Sequence, residues 1–341
     1  MARRGSTHAV KRHCELRVPH AENATHRSPI GKQSIGVTVV APDATTVSAM
    51  ASPITTSTVT ANGVDFTYLD CGSGPLALCL HGFPDSAHSW RHLLPALADA
   101  GFRAVAPFTR GYAPTSVPAD GFFQTGALSA DANALHEALG GTSDAVIIGH
   151  DWGAPSVYGA AGSAPDRWKR VVGMAVPPGG AMNVAFVTNL AQVKRSWYMF
   201  FFQHGLADVV VPANDMAFID MLWEDWSPGF PAAEDIANVK NCLRDPANMT
   251  AALGYYRATL GAGARNPDYD LIQVAGAGEL TQPTLYLHGR NDGCIGAEVA
   301  ESARAMCPWA RVEIVENAGH FMQLEQPAVV NKLIVDFVTG A

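Results

Sequence analysis

A strand, a tight turn and a helix are predicted around residues 149–153, which have the one-letter sequence GHDWG. An apolar run, residues 145–148, precedes this pentapeptide, and a stretch of small residues follows it from Ala154. The glycines at both ends allow the close backbone approach that a sharp strand-to-helix turn requires. Asp151 stands at the apex, where the pattern G-x-S-x-G places a serine. The segment therefore predicts a sheet with a carboxylate held out at the end of one strand.

An aspartate at this position favours a different chemistry from a serine. A serine hydroxyl needs a neighbouring base before it can act as a nucleophile, whereas a carboxylate is already ionised at neutral pH. The carboxylate of Asp151 can attack a saturated carbon directly and form an ester. Small residues around an aspartate also form ordinary turns, so this interpretation depends on further residues elsewhere in the chain.

Strand and helix patterns alternate on both sides of this turn. Two strand-like segments joined by residues 61–63 open the pattern as a hairpin. Short apolar runs then alternate with helical periodicity, which implies the α/β class, with a mostly parallel sheet and helices on both faces. The predicted strands are 55–60, 64–70, 76–80, 103–106, 145–148, 171–176, 284–288 and 311–315, and the predicted helices include 89–100, 126–140 and 327–338.

The alternation stops between residues 181 and 275, where aromatic residues cluster. This change predicts a helical lid, or cap, inserted into a core domain formed by residues 55–180 and 276–341. Residues 1–54 are expected to be a disordered N-terminal extension, because their composition is polar and basic. We expect Met50 to be the natural start of the protein, with an organellar targeting segment as the alternative.

Charge and composition exclude several classes of partner. The net charge is −8, although residues 1–49 hold seven Lys and Arg against three acids, so the remaining chain is strongly acidic. An acidic body argues against a nucleic-acid partner. No apolar run reaches the ~18 residues typical of a membrane-spanning helix, so no membrane partner is expected. Six cysteines without metal-ligand spacing predict free buried thiols in a reducing compartment, the cytoplasm, and no metal.

Two polar groups are predicted to lie beside Asp151. Asp292 follows the predicted strand 284–288, and His320 lies in the loop after the strand 311–315. Catalytic groups of open parallel sheets gather beyond the carboxyl ends of the strands. The chain order of nucleophile, acid and base is that of the α/β-hydrolase fold. We therefore predict a catalytic triad in which neutral His320 takes a proton from water and Asp292 orients it.

The loop after the strand 76–80 is predicted to complete the site. It reads HGFPD from His81 to Asp85. In this fold such a loop supplies one backbone N–H to an oxyanion hole, and the residue after the nucleophile supplies the other. We assign these donors to Phe83 and Trp152. The Phe83-Pro84 bond is expected to be cis, and His81 and His150 are expected to orient loops.

These motifs resemble the branch of the α/β-hydrolase superfamily with an aspartate nucleophile, which contains epoxide hydrolases and haloalkane dehalogenases. The resemblance extends from about residue 55 to the end and is carried by 81–84, 149–153 and 319–321. Phe83 is typical of epoxide hydrolases, whereas dehalogenases commonly have an Asn there. One departure is that Phe108 replaces the usual acidic residue two positions before Arg110, which predicts a different packing of that loop.

The resemblance also implies roles for two cap segments. Residues 196–203 resemble the segment that carries the first ring-opening tyrosine, and residues 255–257 resemble the segment that carries the second. The ring-opening pair then maps onto Tyr198 and Tyr256. The phenols would donate to the epoxide oxygen while the carboxylate attacks.

The resemblance implies an epoxide hydrolase that needs no cofactor and adds water to an apolar epoxide to give a vicinal diol. The alternative is a haloalkane or haloacid dehalogenase with the same triad. A binding protein that kept the pocket is a further alternative, against which the intact triad argues. The sequence leaves the oligomeric state open. The residues expected to bind the apolar substrate are Phe83, Trp152, Phe200, Phe201 and Trp223.

Overall fold

A computed structural model describes residues 52–261 and 263–341. The predicted N-terminal extension lies outside these residues, apart from its last three positions. The described chain contains one eight-stranded sheet. Its strands are β1 (Thr55–Ala61), β2 (Val64–Gly72), β3 (Leu76–Leu80), β4 (Arg103–Pro107), β5 (Val146–His150), β6 (Arg170–Met174), β7 (Thr284–Gly289) and β8 (Ala310–Val315).

The sheet has the order β1-β2-β4-β3-β5-β6-β7-β8. Strand β2 pairs antiparallel with β1 and β4, and all other neighbours are parallel. The carboxyl ends of β3, β5, β7 and β8 therefore lie at one edge of the sheet, and the loops that follow them meet there. The predicted α/β-hydrolase fold is confirmed.

Fourteen α-helices accompany the sheet in the described residues. None of them is long and apolar enough to cross a membrane. They are α1 (Leu93–Asp99), α2 (Thr125–Ala138), α3 (Gly153–Ser163), α4 (Ala181–Thr188), α5 (Leu190–Arg195), α6 (Trp197–Phe201), α7 (Ala207–Val210), α8 (Ala213–Trp226), α9 (Ala233–Leu243), α10 (Pro246–Leu260), α11 (Pro267–Ala275), α12 (Ala297–Met306), α13 (Met322–Glu325) and α14 (Pro327–Thr339).

Successive residues of β5 enter two different hydrophobic cores, because side chains alternate across a strand. Val146 and Ile148 pack in the cluster that includes α1 and α14, whereas Ile147 packs in the cluster that includes α2 and α3. All five residues of β5 are buried. A strand that is covered on both faces has a continuous run of apolar residues. Such a run, residues 145–148, predicted β5.

The helices α4–α10 occupy the predicted cap. Helix α11 falls within the range assigned to the cap, 181–275, yet it packs against α2 and α3 of the core. Its residues are all at least partly exposed, and Gly126 of α2 approaches the backbone at Tyr269 closely. We therefore propose that the boundary between cap and core lies before α11.

Gly153 allows α3 to begin directly against β3, since a Cβ at this position would collide with the carbonyl group of Leu80. We expect Gly153→Ala to lower the free energy of unfolding by about 1–3 kcal/mol, the usual cost of overpacking. Gly278→Ala is the control, because a Cβ there meets nothing within 4 Å. Urea denaturation of both variants checks this, and equal stabilities would contradict the proposed contact.

Candidate active site

Asp151 is presented at the end of β5 by a strained turn. Its φ is 52°, in the left-handed region that non-glycine residues seldom adopt. The backbone N–H of Asp151 donates to the carbonyl of Met174 at 3.2 Å, and its carbonyl accepts from Ala154 N–H at 2.9 Å. These bonds hold the turn from both sides. The carboxylate consequently points beyond the sheet edge, as strained active-site residues often do.

The loops after β7 and β8 bring Asp292 and His320 to this carboxylate. The Nδ1–H of His320 donates to Oδ2 of Asp292 at 2.9 Å, and Nε2 of His320 lies 3.5 Å from Oδ2 of Asp151. Among the described residues, His320 Nε2 is buried without a hydrogen-bond partner. The other oxygen of Asp292 accepts from the backbone N–H groups of Cys294 and Ile295 at 2.8 and 2.9 Å.

The charges of Asp151, Asp292 and His320 shift the pKa values of their neighbours in this site. Burial by itself would lower the pKa of His320, but the carboxylates of Asp292 and Asp151 raise that pKa to about 10. Burial likewise opposes ionisation of Asp292, whose pKa is nevertheless held below its usual range by the charge of His320 and by its hydrogen bonds. The resting site therefore contains an imidazolium.

The loop 81–85 places a donor on the carboxylate. The backbone N–H of Phe83 donates to Oδ1 of Asp151 at 2.7 Å. Gly82 makes this approach possible, because a Cβ there would collide with Oδ1 of Asp151 and with the backbone nitrogen of Trp152. The Phe83-Pro84 bond is cis, as predicted. The amide of Phe83 thus lies where it can stabilise negative charge on an Asp151 oxygen.

Two neighbouring histidines fix loops around the site. Nε2 of His81 accepts from the backbone N–H of Thr109 at 3.0 Å, and burial lowers the pKa of His81. Nε2 of His150 lies 2.9 Å from the carbonyl oxygen of His320, while its Nδ1 lies 3.5 Å from the buried carboxylate of Asp85. These contacts fit the loop-orienting role assigned from the sequence.

Tyr198 and Tyr256 both reach the site from the cap. The two rings pack edge to face with centroids 5.6 Å apart, and the ring of Tyr256 lies 5.0 Å from that of Trp152. Burial and the nearby charge of Asp151 raise the pKa of both phenols well above the ordinary value, so they remain protonated donors. The hydroxyl of neighbouring Tyr255 instead donates to the carbonyl of Arg110 at 2.6 Å.

A cavity of about 240 Å³ separates the carboxylate from the cap. Most of its lining is apolar, and its volume suits a small substrate. A groove of about 690 Å³ on the cap is larger but contains none of the triad residues. The lining of the smaller cavity includes Asp151, Trp152, Tyr198 and Tyr256, together with the apolar residues Pro155, Val176, Met182, Phe186, Met199, Leu260 and Ile295.

Four of the five residues predicted to bind substrate do not line this cavity, and only Trp152 does. Phe200 is 48% exposed, and Phe201 stacks against Phe218 at a centroid distance of 5.8 Å. The short helix α6 turns only Tyr198 and Met199 inward, so the next two residues face away. Trp223 stacks on Phe321 and donates its indole N–H to the carbonyl of Pro84 at 2.9 Å. Phe83 is fully buried and reaches the site through its N–H.

The loop that departs from the family pattern is held by an ion pair. The buried guanidinium of Arg110 donates from Nε and Nη2 to the two oxygens of Asp131 at 2.6 and 2.7 Å. Phe108, in place of the acid, is buried and packs edge to face on His88. The apolar replacement is therefore accommodated by packing.

Cys294 belongs to the site, although no sequence motif indicated a role for it. In the part of the chain that the structure describes, Asp151, Cys294 and His320 bring a carboxylate oxygen, a thiol sulfur and a ring nitrogen within 4.8 Å of one another. Such a set could hold a metal only with the thiol ionised. Burial and the charges of Asp292 and Asp151 raise the pKa of Cys294 well above its usual value. The site therefore favours a protonated thiol.

Comparisons with known proteins identify the family of this chain. The family profile described as alpha/beta hydrolase fold matches residues 75–327. An epoxide hydrolase of Caballeronia sordidicola is 30% identical, over 82% of this chain and 92% of the relative. The chain belongs to the α/β-hydrolase family, in its epoxide hydrolase branch. Epoxide hydrolase B of Mycobacterium tuberculosis is also 30% identical, over 78% of this chain and 92% of its own length.

A solved structure of this branch agrees with the fold of the hydrolase. The crystal structure of Bacillus megaterium epoxide hydrolase in complex with an inhibitor has a TM-score of 0.70 and 26% sequence identity to the chain. The match covers 83% of this hydrolase and 100% of that chain. The resemblance inferred from the sequence motifs is confirmed.

The raised pKa of His320 predicts how the stability of the hydrolase depends on pH. Its imidazolium stabilises the fold fully below the unfolded-state pKa of about 6.5. This contribution is lost as the pH rises through the folded-state pKa of about 10. Because Asp151→Asn removes one of the two carboxylates, we expect the loss to occur at lower pH in that variant.

Urea denaturation between about pH 6 and pH 11, relative to His320→Gln as the background without the imidazole, isolates this contribution. If the stability contribution of His320 is lost over the same pH range in Asp151→Asn and in the wild type, Asp151 does not raise the pKa of His320.

Proposed function

We propose that this hydrolase is an epoxide hydrolase that acts on a small apolar epoxide. One observation carries the proposal, namely that the carboxylate of Asp151 faces two buried, protonated phenols across an apolar cavity. An epoxide oxygen leaves the attacked carbon as a strongly basic alkoxide, which needs a proton donor. Phenols with raised pKa values donate without competing for the charge of the nucleophile.

In the first step, an oxygen of Asp151 forms a bond to an epoxide carbon, and the C–O bond of the ring breaks. The electron pair goes to the ring oxygen, which takes a proton from Tyr198 or Tyr256. The phenolate regains a proton from the imidazolium of His320. This transfer becomes favourable because Asp151 is now a neutral ester and no longer supports the charge on the ring.

In the second step, neutral His320 takes a proton from water, and the hydroxide attacks the ester carbonyl of Asp151. The N–H groups of Phe83 and Trp152 stabilise the oxyanion, and loss of one such donor typically costs ~3 kcal/mol of barrier. Collapse releases the diol, whose leaving oxygen takes the proton of the carboxyl group. The site returns to its initial charges, and the net reaction is epoxide plus water to diol.

A dehalogenase is the alternative with the same nucleophile. Among the described residues, the indole nitrogen of Trp152 is buried without a partner and could hold a halide. The side chain of Phe83, however, offers no second donor. Parallel assays of epoxides and haloalkanes, with diol and halide as the products measured, test the proposal. Halide release without diol formation would overturn it.

We also propose that the hydrolase works in the cytoplasm. The five cysteines of the described residues are all free and buried, as expected for a reducing compartment. Fractionation of cells that express the full chain tests this proposal, and enrichment in an oxidising compartment would contradict it.

Replacement of the base should separate the two steps. We expect His320→Gln to form the ester on Asp151 and hydrolyse it very slowly, because attack by Asp151 does not use the neutral base. Intact-mass spectrometry after incubation with substrate should show a stable adduct on the peptide that contains Asp151. The double variant with Asp151→Asn is the control and should show none. An absence of adduct from epoxides that the wild type hydrolyses would contradict the assignment.

Removal of the phenols should slow the first step. General-acid assistance typically contributes about 10²–10⁴-fold, and two donors to one oxygen partly replace each other. We therefore expect Tyr198→Phe and Tyr256→Phe each to slow alkylation, and the double variant to nearly abolish it. Stopped-flow measurement of ester formation checks this. Tyr255→Phe is the control, since that hydroxyl bonds a backbone carbonyl. Wild-type alkylation by the double variant would remove the ring-opening assignment.

A further inference from the structure

Tyr198 and Tyr256 are not equivalent donors. The hydroxyl of Tyr198 lies 3.3 Å from Sγ of Cys294. In the described residues, the hydroxyl of Tyr256 is buried and has no partner that meets hydrogen-bond criteria. Cys294 belongs to the loop of the triad acid, two residues after Asp292, and its thiol lies within hydrogen-bond distance of the Tyr198 hydroxyl.

The position of Cys294 is fixed from two sides. Its backbone N–H donates to Oδ1 of Asp292 at 2.8 Å, and its carbonyl accepts from Nε2 of Gln192 at 2.9 Å. Gln192 also accepts from the backbone N–H of Gly296 at 2.9 Å and donates to Oγ of Ser196 at 2.9 Å. The same amide thus binds the triad loop and the residue two positions before Tyr198. The distance between thiol and phenol is therefore set by the scaffold.

We propose that Cys294 is a positioning residue for Tyr198. The thiol of Cys294 donates its S–H to the phenol oxygen of Tyr198, which leaves the phenol proton free for the substrate oxygen. This inference rests on the proposed epoxide hydrolase function. The thiol is 1% exposed and, with its pKa raised by burial and by two carboxylates, it keeps its proton. When the phenol proton moves to the ring oxygen, the S–H bond to Tyr198 stabilises the negative charge that develops there. No proton leaves the sulfur.

A double-mutant cycle on the alkylation rate tests this role. Cys294→Ala should slow ester formation by about three- to tenfold, the effect of one net hydrogen bond. The same substitution should have no further effect in a Tyr198→Phe background and its full effect in a Tyr256→Phe background. Cys294→Ser should retain most of the rate because its hydroxyl is also a donor. Cys242→Ala, in the cap helix α9, controls for loss of a buried thiol.

A merely structural role of Cys294 predicts a different result. The slowing by Cys294→Ala would then be equal in both tyrosine backgrounds, and that outcome overturns the proposal. An unchanged alkylation rate in Cys294→Ala overturns it as well. If the wild type forms no ester with any epoxide, the proposed function fails, and the thiol must be examined without substrate.

Infrared spectroscopy of the enzyme without substrate tests the hydrogen bond between the thiol of Cys294 and Tyr198. The S–H stretching band of Cys294, identified by its loss in Cys294→Ala, lies at lower frequency when the thiol donates a hydrogen bond. Tyr198→Phe should move this band to higher frequency, and Tyr256→Phe should leave it in place. A band that does not respond to Tyr198→Phe overturns the proposed contact, whatever the enzyme acts on.

Discussion

The structure of the site depends on three buried charges that stabilise one another. Asp151, His320 and Asp292 are each at most 5% exposed, in surroundings where an unpaired charge would be costly. The imidazolium lies between two carboxylates, and backbone N–H groups bind the outer oxygens of both acids. Removal of any one of these residues leaves the buried charge of its neighbour without a full counter-charge. The sheet brings these three groups together because it aligns the ends of β5, β7 and β8.

The cap covers the cavity and also contributes two phenols and a buried amide to the site. Because it buries Tyr198 and Tyr256 near the charge of Asp151, the pKa values of both phenols lie well above the ordinary value, and the phenols keep their protons at neutral pH. The amide of Gln192 connects the cap to the triad loop by hydrogen bonds to both. The donor side and the nucleophile side of the cavity are thus joined by a specific buried network, which fixes geometry better than apolar packing alone.

Local sequence patterns predicted most of the fold and the three residues proposed as the triad, which the structure places together. Strand-like patterns located all eight strands to within a few residues, and Asp151, Asp292 and His320 each stand in the loop just after a predicted strand. Patterns of this kind do not report which way a helix faces. Phe200 and Trp223 are aromatic and lie in the cap, yet one faces outward and the other supports the loop at Pro84. The packing of α11 on the core and the contact of Cys294 with Tyr198 arise from tertiary structure between distant segments.

In the proposed mechanism, the charge of Asp151 also determines when His320 can act as a base. The carboxylate of Asp151 contributes to the raised pKa of His320, so in this mechanism the imidazole holds its proton until substrate has reacted. Ester formation consumes that charge, and Asp292 alone then supports the imidazolium. The pKa of His320 must fall at this point, because an attractive charge 3.5 Å from Nε2 has disappeared. The base therefore becomes available only when there is an ester to hydrolyse, and the order of the two steps follows from the electrostatics of the site.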